Sequence, residues 1–523
     1  MPVRNSAGSW LGEGYFRAVH WLRLLILWVV LARVDAAYFE IQVVDAETGQ
    51  GVPLVELELV NHARYVTDSG GRAAIHEPGL EGEIAFFYVR SHGYEYPKDG
   101  FGMAGARVKL APGGKEVLKI KRLNIAERLY RNTGAEIYRD SILLGHKAPL
   151  QEPLLNAKVM GQDSIQRVVY GGKIFWFWGD TLQVAYPLGN FRMSGATSEL
   201  PANGGLNPAD GVNLKYFTGE NGFAKGMFPI EPKGDLIWAD GFLAVRDAAG
   251  KERMVAHYIR LKGLASPTLG RGLAVYNDEN DEFEELKKLE VEEKWRFPHG
   301  HPVTTTNSGT RYFQFGQNFP NVRVRATYEA LQNSDGYEAF TCIADGSSAK
   351  ANAAKLLRDE NGKLIYRWTK NAPPTGNKEE REFIAAGLMK SEEARFQPVD
   401  VETGKAMQLH AGSVYWNAWR KKWILICSEI YGASMLGEIW YSEADEPTGP
   451  WKKARKIVTH DKYSFYNPAS HPFFDEDGGR VIYFEGTYTA EFSGNEHPTP
   501  RYNYNQVMYR LDLADPRLKA AFE

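Results

Sequence analysis

Short runs of alternating apolar and polar residues predict β-strands in the first part of the chain. Residues 38–44 read YFEIQVV and are followed by the turn-forming DAETG, and residues 55–60 read VELELV. Two more runs of this kind lie at residues 84–90 and 108–118. Because Gly, Asp and Pro turns separate these short strands, residues 38–120 are expected to form a small β-sandwich.

Longer apolar strands alternate with Gly, Asn and Asp turns from residue 151 to the end. Residues 168–178 read VVYGGKIFWFW, which predicts a hairpin with a Gly-Gly turn, and similar hairpins are expected at residues 242–261, 412–429 and 472–485. Repeated units of four strands favour propeller blades over an α/β sheet. Residues 151–523 are long enough for five blades of about 75 residues each, with surplus length in loops.

Two long segments account for the residues that five compact blades would not need. Residues 186–235 are rich in Gly, Pro and Asn, and residues 345–396 are charged and contain helical stretches. Long loops often lie over a functional face, although residues 345–396 could equally be a disordered insertion. The fold class predicted for the whole chain is all-β, a five-bladed β-propeller preceded by a small β-sandwich, with residues 121–150 as the linker.

The N-terminal residues have the pattern of a secretory signal. Arginines precede or enter an apolar run at residues 21–32, which leads to the small-residue sequence VDAA at residues 34–37. The run is shorter than the roughly 20 apolar residues that a membrane span needs. We therefore expect residues 1–37 to be a cleaved signal peptide, and the mature protein to be secreted, periplasmic or at the cell surface, without stable membrane insertion.

Composition removes several other classes of function. The net charge is −3 and no basic stripe is present, so nucleic acid is not expected as a partner. The two cysteines, Cys342 and Cys427, are too few for a disulfide framework and lack the spacing of a zinc site. Aromatic residues reach 13%, which fits either β-rich packing or a surface on which sugar rings stack. Nothing in the sequence specifies an oligomeric state.

Several phrases in the second part of the chain resemble a known family. The phrases GQDSI and FWGDT resemble the opening blade of five-bladed propellers in a former domain-of-unknown-function group that includes D-arabinan-degrading glycoside hydrolases. The phrases GEIWYS and PTGPW resemble the blade ending of arabinanase, xylosidase and fructosidase propellers. YNP, HP and GGR resemble the last blade of the same group. These phrases lie at residues 161–165, 177–181, 437–442, 447–451, 466–468, 471–472 and 478–480.

This resemblance implies a glycoside hydrolase domain over residues 151–523 that acts on a carbohydrate substrate. Propellers of this kind can hold a structural calcium or sodium ion in their channel; no cofactor is expected to be required, and the sequence predicts no metal ligands. The phrases VDAETGQGVP at residues 44–53 and TDSGGRA at residues 67–73 resemble the carboxypeptidase-regulatory-like, transthyretin-like sandwich. That resemblance implies a spacer or docking module.

Carboxylates at strand ends are the candidates for catalysis. Glycoside cleavage needs one carboxylic acid to protonate the leaving oxygen and one carboxylate to attack or to activate water. Asp163 is the first choice for base or nucleophile, and Asp180, one hairpin later, could lie beside it and raise one pKa. Glu429 and Glu485 end apolar strands and are candidates for the general acid. The predicted catalytic set is Asp163, Asp180, Asp240, Glu429 and Glu485.

Each of these carboxylates also has a structural interpretation. Asp180 could be a turn residue that bonds the backbone, and Glu429 and Glu485 could each form an ion pair with an arginine.

Aromatic, histidine and arginine side chains are the candidates for substrate contact. His299 and His301 lie two residues apart in FPHGHP, a poor spacing for a metal, so sugar contacts, channel lining or loop packing are expected. Tryptophans could stack on sugar rings or pack between blades. Arginines could recognise an acidic sugar or lie on the surface. The predicted substrate-binding set is Trp178, His299, His301, Arg323, His410 and His471, with Trp176, Trp416, Trp440, Arg296 and Arg325 as further candidates.

Three functions compete at this point. The leading hypothesis is a secreted glycoside hydrolase acting on a polysaccharide or oligosaccharide. A non-catalytic propeller that binds glycan or protein at the cell surface is the alternative, and a polysaccharide lyase with a Tyr, His or Lys base is a third. Hydrolysis requires two or three of the five carboxylates to converge within about 5–10 Å. Scattered carboxylates, or carboxylates each neutralised by an arginine, would favour binding.

Overall fold

The structure is a computed structural model that describes residues 38–232, 234–263 and 266–522. The predicted signal peptide, residues 1–37, lies outside the described residues. The described part is predominantly β, which confirms the all-β prediction at this level. No helix in these ranges is long and apolar enough to cross a membrane.

Two four-stranded sheets form the N-terminal part and share one apolar core. One sheet contains β1 (Phe39–Asp45), β4 (Arg72–Ile75), β6 (Tyr94–Glu95) and β8 (Lys115–Arg122). The other contains β2 (Glu56–Leu59), β3 (Arg64–Val66), β5 (Ile84–Arg90) and β7 (Gly105–Lys109). Alternation places Ile41, Leu57 and Phe87 fully inside. Burying each such side chain stabilises the fold by about 1.5–3 kcal/mol.

A strand inside the expected linker joins the last sheet of the chain. This strand, β9 (Glu127–Arg131), pairs with the final strand, β33 (Asn505–Asp512). A small sheet of β10 (Val159–Gln162), β13 (Thr181–Gln183) and β14 (Tyr186–Asn190) follows it. The helices are α1 (Arg139–Leu143), α2 (Tyr328–Leu331) and α3 (Asn377–Ala385).

Five further sheets follow one another along the chain, and we number them sheet 1 to sheet 5. Sheet 1 contains β11 (Gln166–Tyr170), β12 (Lys173–Trp178), β15 (Ser194–Glu199) and β16 (Lys215–Tyr216). Sheet 2 contains β17 (Leu236–Arg246), β18 (Glu252–Leu261), β19 (Thr268–Asn277) and β20 (Glu282–Leu289). Sheet 3 contains β21 (Val303–Asn307), β22 (Thr310–Phe315), β23 (Val322–Arg325), β24 (Glu338–Thr341) and β25 (Arg367–Thr369).

Sheets 4 and 5 complete the series. Sheet 4 contains β26 (Val399–Asp400), β27 (Leu409–Asn417), β28 (Lys422–Glu429), β29 (Ile439–Ala444) and β30 (Lys453–Val458). Sheet 5 contains β31 (Ser464–Ser470), β32 (Val481–Thr489), β33 and β9. In the predicted hairpin at residues 472–485, only the second half is a strand. Pro472–Phe474 forms a 3₁₀ turn, because proline has no N–H to give to a sheet.

Neighbouring sheets in this series share apolar clusters, and sheet 5 shares one with sheet 1. Phe177 of sheet 1 stacks on Phe242 of sheet 2 with ring centroids 4.4 Å apart. Trp176 of sheet 1 lies in the same buried cluster as Tyr483 of sheet 5. The other clusters join sheet 2 to sheet 3, sheet 3 to sheet 4 and sheet 4 to sheet 5. The five sheets therefore form a closed series rather than an open stack.

The long segment at residues 345–396 is packed rather than extended into solvent. It contains α3, and Phe383 of that helix is fully buried with Cys342, Ile343 and Met389 in a cluster of its own. Glu380 of the same helix is also buried, and it accepts hydrogen bonds from the backbone N–H groups of Arg395 and Phe396 at 2.9 and 2.8 Å. Both the apolar cluster and the satisfied carboxylate indicate an ordered insertion.

Candidate active site

One strand from each of the five sheets begins at the same end of the molecule, namely β11, β17, β21, β27 and β31. Because each of these strands is antiparallel to the strand that follows it, its start and the end of the next strand lie together. Gly241 N–H donates to the Gly300 carbonyl at 3.1 Å, which joins sheets 2 and 3, and Gly412 N–H donates to the Gln317 carbonyl at 3.2 Å, which joins sheets 3 and 4. We call this the common end, and most of the predicted site residues lie there.

Asp163 and Asp180 are in direct contact at the common end. Asp163 lies between β10 and β11, and Asp180 follows β12. The backbone N–H of Asp180 donates to Oδ1 of Asp163 at 2.8 Å, and Gly179 N–H donates to the Asp163 carbonyl at 2.9 Å. A Cβ at residue 179 would stand 2.4 Å from Asp163 Oδ1. Only glycine therefore allows this close approach of the two segments.

Hydroxyl groups from sheet 5 and its loop fix the Asp163 carboxylate. Tyr466 at the start of β31 donates to Oδ2 at 2.9 Å, and Ser164 donates to the same oxygen at 3.2 Å. The Tyr504 hydroxyl also bonds this carboxylate. Burial nevertheless raises the pKa of Asp163, because desolvation outweighs these donors.

The Asp180 carboxyl group changes protonation near neutral pH. Burial and the charge of Asp163 raise the pKa of Asp180 to about 7, against a hydrogen bond from Trp238 Nε1 to Oδ1 at 3.1 Å. Glu491, at the end of sheet 5, adds a further negative charge. A carboxyl group with such a pKa can serve as a general acid at neutral pH.

Asp240 remains ionised on the neighbouring strand. Its Oδ1 pairs with His257 Nδ1 at 3.0 Å, and its Oδ2 accepts the Gly300 N–H at 3.0 Å. Burial alone would raise the pKa of Asp240, but the His257 hydrogen bond and charge and the nearby His299 lower it. The side chain keeps 37% of its surface exposed. An anionic, accessible carboxylate thus lies two residues from Trp238, which bonds Asp180.

Two predicted histidines lie in the loop before β21, and one of them, His299, is near Asp240. His299 is partly buried and its Nδ1 lies 3.1 Å from the Phe297 carbonyl. His301 Nδ1 lies 2.7 Å from Nη1 of Arg167, a residue of β11. Sequence reasoning missed Arg167. The signal that could have found Arg167 is the one used for Glu429 and Glu485, namely a charged residue within or at the end of an apolar strand.

Glu429 and His410 lie at the common end of sheet 4. Glu429 Oε2 accepts a hydrogen bond from Trp440 Nε1 at 3.0 Å. Burial raises the pKa of Glu429. The hydrogen bond from Trp440 lowers this pKa, and the negative charge of Glu438 raises it further. His410 is partly buried, and burial lowers its pKa. Within the described residues, no hydrogen bond or ion pair joins Glu429 or His410 to Asp163 or Asp180.

Glu485 and His471 lie in the interior instead of at a solvent-facing site. Both side chains are fully buried, and Glu485 Oε1 lies 3.1 Å from His471 Nε2. Glu485 Oε2 accepts a hydrogen bond from Asn132 Nδ2 at 3.0 Å. Because neither side chain has exposed surface, the roles predicted for them in acid catalysis and substrate contact stay predictions.

Two other predicted substrate contacts serve packing. Trp178 is fully buried in the cluster between sheets 1 and 5. Arg323 donates from Nε to Glu338 at 2.8 Å, and its guanidinium lies 4.3 Å from the ring centroids of both Tyr312 and Trp368. Strand alternation cannot say which face of a strand meets solvent, so the sequence left packing open as the alternative for both residues.

Among the further candidates for substrate contact, some are buried or paired within the protein and one is exposed away from the common end. Trp176 and Trp440 are buried, and Arg296 is paired with Glu293 at 3.2 Å. Trp416 is exposed at the opposite end of sheet 4.

The residues around His301 do not fit the calcium or sodium ion that the resemblance allows. In the described ranges, no group of three or more His, Cys, Asp or Glu side chains has the geometry to hold a metal ion. Nδ1 of His301 is already bonded to the Arg167 guanidinium. A cation at this place would face a fixed positive charge, which opposes its binding.

Comparisons with known proteins give the following likenesses. No family model matches the chain, and no curated protein matches it. A candidate hydrolase from Bacteroides ovatus is 12% identical, with 68% of this chain and 86% of that chain covered and a TM-score of 0.40. An exo-1,5-alpha-L-arabinanase from a bovine ruminal metagenomic library is 11% identical (68% and 94% covered, TM-score 0.33).

An alpha-L-arabinanase from Cellvibrio cellulosa, solved with arabinohexaose, is also 11% identical (68% and 92% covered, TM-score 0.35). At these identities and TM-scores, the activity proposed for this chain rests on its own residues.

Proposed function

We propose that this chain is a glycoside hydrolase built on a five-bladed β-propeller behind an N-terminal β-sandwich. Sheets 1 to 5 would be the blades, and the apolar clusters that join them in a closed series support this architecture. β9 would complete the last blade from the N-terminal side. The export signal expected in residues 1–37 makes secretion, or a periplasmic or cell-surface location, part of this proposal.

The observation that carries the proposed activity is a set of carboxyl groups whose pKa values are moved in opposite directions. Asp180 has a pKa of about 7, whereas the pKa of Asp240 is lowered. Such a divergence is how enzymes assign the acid and base of a reaction. In the proposed mechanism, Asp180 protonates the leaving glycosidic oxygen, and the ionised Asp240 attacks the sugar carbon or activates water.

Asp163 acts in this mechanism as the group that positions Asp180 and keeps it protonated. Its oxygens are engaged by Asp180 N–H, Tyr466 and Ser164, so it is less free to attack than Asp240. Its charge is the second cause of the raised pKa of Asp180. This assignment revises the expectation that Asp163 itself is the nucleophile or base.

A non-catalytic binding propeller is the second candidate. It would be favoured if the carboxylates were scattered or neutralised by arginines. Asp163 and Asp180 instead touch, and Asp240, on the strand of Trp238, pairs with a histidine. Within the described part of the chain, none of the five predicted carboxylates forms an ion pair with Arg or Lys. These contacts support hydrolysis over binding alone.

The deciding experiment is a screen of the purified protein against a panel of polysaccharides, read by released reducing sugar. We expect turnover of at least one glycan, and we expect Asp180→Asn to reduce it by about 10²–10⁴-fold, the usual contribution of a general acid. Asp247→Asn is the matched control, because Asp247 lies in the β17–β18 turn at the opposite end of sheet 2. Equal activity of Asp180→Asn and wild type would refute the proposed acid.

A further inference from the structure

The Arg167 guanidinium is held by a backbone carbonyl group and a histidine ring instead of by a carboxylate. Nε and Nη2 donate to the Ser470 carbonyl at 3.0 and 2.5 Å, and Nη1 lies 2.7 Å from His301 Nδ1. It forms no ion pair with a carboxylate in the described ranges. A guanidinium has five N–H donors, so about two remain free for a ligand.

Arg167 lies where three of the five sheets approach one another. It belongs to β11 of sheet 1, Ser470 ends β31 of sheet 5, and His301 precedes β21 of sheet 3. Ser470 Oγ also bonds Ser413 Oγ of sheet 4 at 3.0 Å. Both Arg167 and His301 remain partly exposed. A small polar group can therefore reach this place from solvent.

The nearby acidic groups are engaged elsewhere. Glu485 is the carboxylate that acts on Arg167, but it is fully buried and bonded to His471 and Asn132. Asp240 is bonded to His257 and to the Gly300 N–H. Burial and the charge of Arg167 lower the pKa of His301 well below its usual value, so that ring is neutral.

The contact with Arg167 also fixes the tautomer of His301. A guanidinium can only donate, so Nδ1 of the neutral ring must accept and Nε2 must carry the hydrogen. Among the described residues, the His301 Nε2–H has no hydrogen-bond partner. Arg167 and His301 therefore supply donors, and no acceptor, to whatever binds between them.

We propose that Arg167 and His301 form a subsite for the carboxylate of a uronic acid residue in the glycan. The planar fork of a guanidinium matches a carboxylate, and charge-assisted bonds of this kind are strong. Arg167 lies four residues after Asp163, at most about 14 Å along extended chain, so one oligosaccharide can contact both. This inference rests on the proposed function and specifies its substrate class as an acidic glycan.

The test measures binding of monosaccharides to the full chain by calorimetry or ligand-observed NMR. D-Galacturonate and D-glucuronate are the probes, and D-galactose, D-glucose and the methyl ester of D-galacturonate are their neutral counterparts. We expect at least about tenfold tighter binding of the uronates, the usual effect of a charge-assisted hydrogen bond. If galacturonate and its methyl ester bound with equal affinity, the proposal would be overturned without any variant. Equal affinity for acetate and galacturonate would also overturn it.

Variants then locate the subsite. Arg167→Met should abolish the preference for the uronates, and Arg167→Lys, which keeps the charge but loses the fork, should retain part of it. Arg253→Met is the matched control, since Arg253 is paired with Asp247 at the opposite end of sheet 2 and should leave the preference unchanged. Circular dichroism and the melting temperature report whether each variant folds. Loss of the preference in Arg253→Met, or its persistence in a folded Arg167→Met, contradicts the assignment.

The failure of this inference can be told apart from failure of the proposed function. Asp180→Asn should lose turnover and still bind the uronates. If a neutral glycan is hydrolysed and no uronate preference exists, the subsite is wrong and the hydrolase stands. If the uronates bind selectively and no glycan in the panel is cleaved, the subsite stands and the hydrolase is wrong.

Discussion

At the scale of single residues, the protonation of Asp180 depends on two opposing contacts. Desolvation and the charge of Asp163 favour the neutral acid, and the Trp238 hydrogen bond favours the carboxylate. With a pKa of about 7, the acid form dominates below pH 7 and is lost as the pH rises through 7. We therefore expect kcat/KM to fall on the alkaline side with an apparent pKa near that value.

Asp163→Asn tests the origin of that pKa. The substitution removes a negative charge beside Asp180, so the pKa of Asp180 should fall and the alkaline limb of kcat/KM should move to lower pH. Activity at pH 7 should drop strongly, because Asp180 would then be mostly ionised. The measurement is the pH profile of residual activity on a cleaved glycan. A limb at unchanged pH would show that Asp163 does not control Asp180.

Phe492 is an exposed aromatic residue at the edge of the same site. It is 61% exposed, and its ring centroid lies 5.8 Å from that of Tyr466, which bonds Asp163. A sugar ring stacked on Phe492 would gain about 1 kcal/mol from the aromatic face. We expect Phe492→Ala to raise KM by about fivefold with kcat little changed.

Phe101→Ala provides the control for this prediction. Phe101 is 91% exposed in the turn between β6 and β7, far along the chain from the site, so its removal should leave KM unchanged. Equal KM values for Phe492→Ala and wild type would show that the ring does not contact substrate.

At the scale of elements, β9 connects the two parts of the chain. Arg128 in this strand is buried, and its guanidinium donates to the Pro53 carbonyl at 3.1 and 2.9 Å and to the His92 carbonyl at 3.1 Å. It also lies 5.1 Å from the ring centroid of Tyr94. A strand of the last sheet thereby holds the N-terminal sheets in place.

Arg128→Ala should therefore be strongly destabilising. It leaves buried carbonyl groups without donors, and we expect a loss of about 2–4 kcal/mol in the free energy of unfolding, measured with urea. Arg107→Ala on β7 is the control, because that side chain is exposed and should change the free energy by less than about 0.5 kcal/mol. Similar values for the two variants would mean that Arg128 does not hold the two parts together.

At the scale of the whole molecule, the site residues come from segments far apart in sequence. Asp163 and Tyr466 are 303 positions apart and bond at 2.9 Å, and Arg167 and His301 are 134 positions apart and bond at 2.7 Å. The closed series of sheets produces these encounters by bringing the starts of β11, β17, β21, β27 and β31 together. The local sequence does not indicate which distant segments will come into contact.

The sequence by itself determined the elements, because strand alternation and turn chemistry act over a few residues. The Gly171-Gly172 turn, with φ values of 57° and 77°, lies between β11 and β12 as its dipeptide predicts. Tertiary structure alone decided which polar groups meet solvent. It buries Trp178 and Glu485, pairs Arg323 with Glu338, and leaves Arg167 without an ion pair to any carboxylate of the described residues. The physical reason is that burial and charge pairing depend on the neighbouring sheets, whose approach no local pattern encodes.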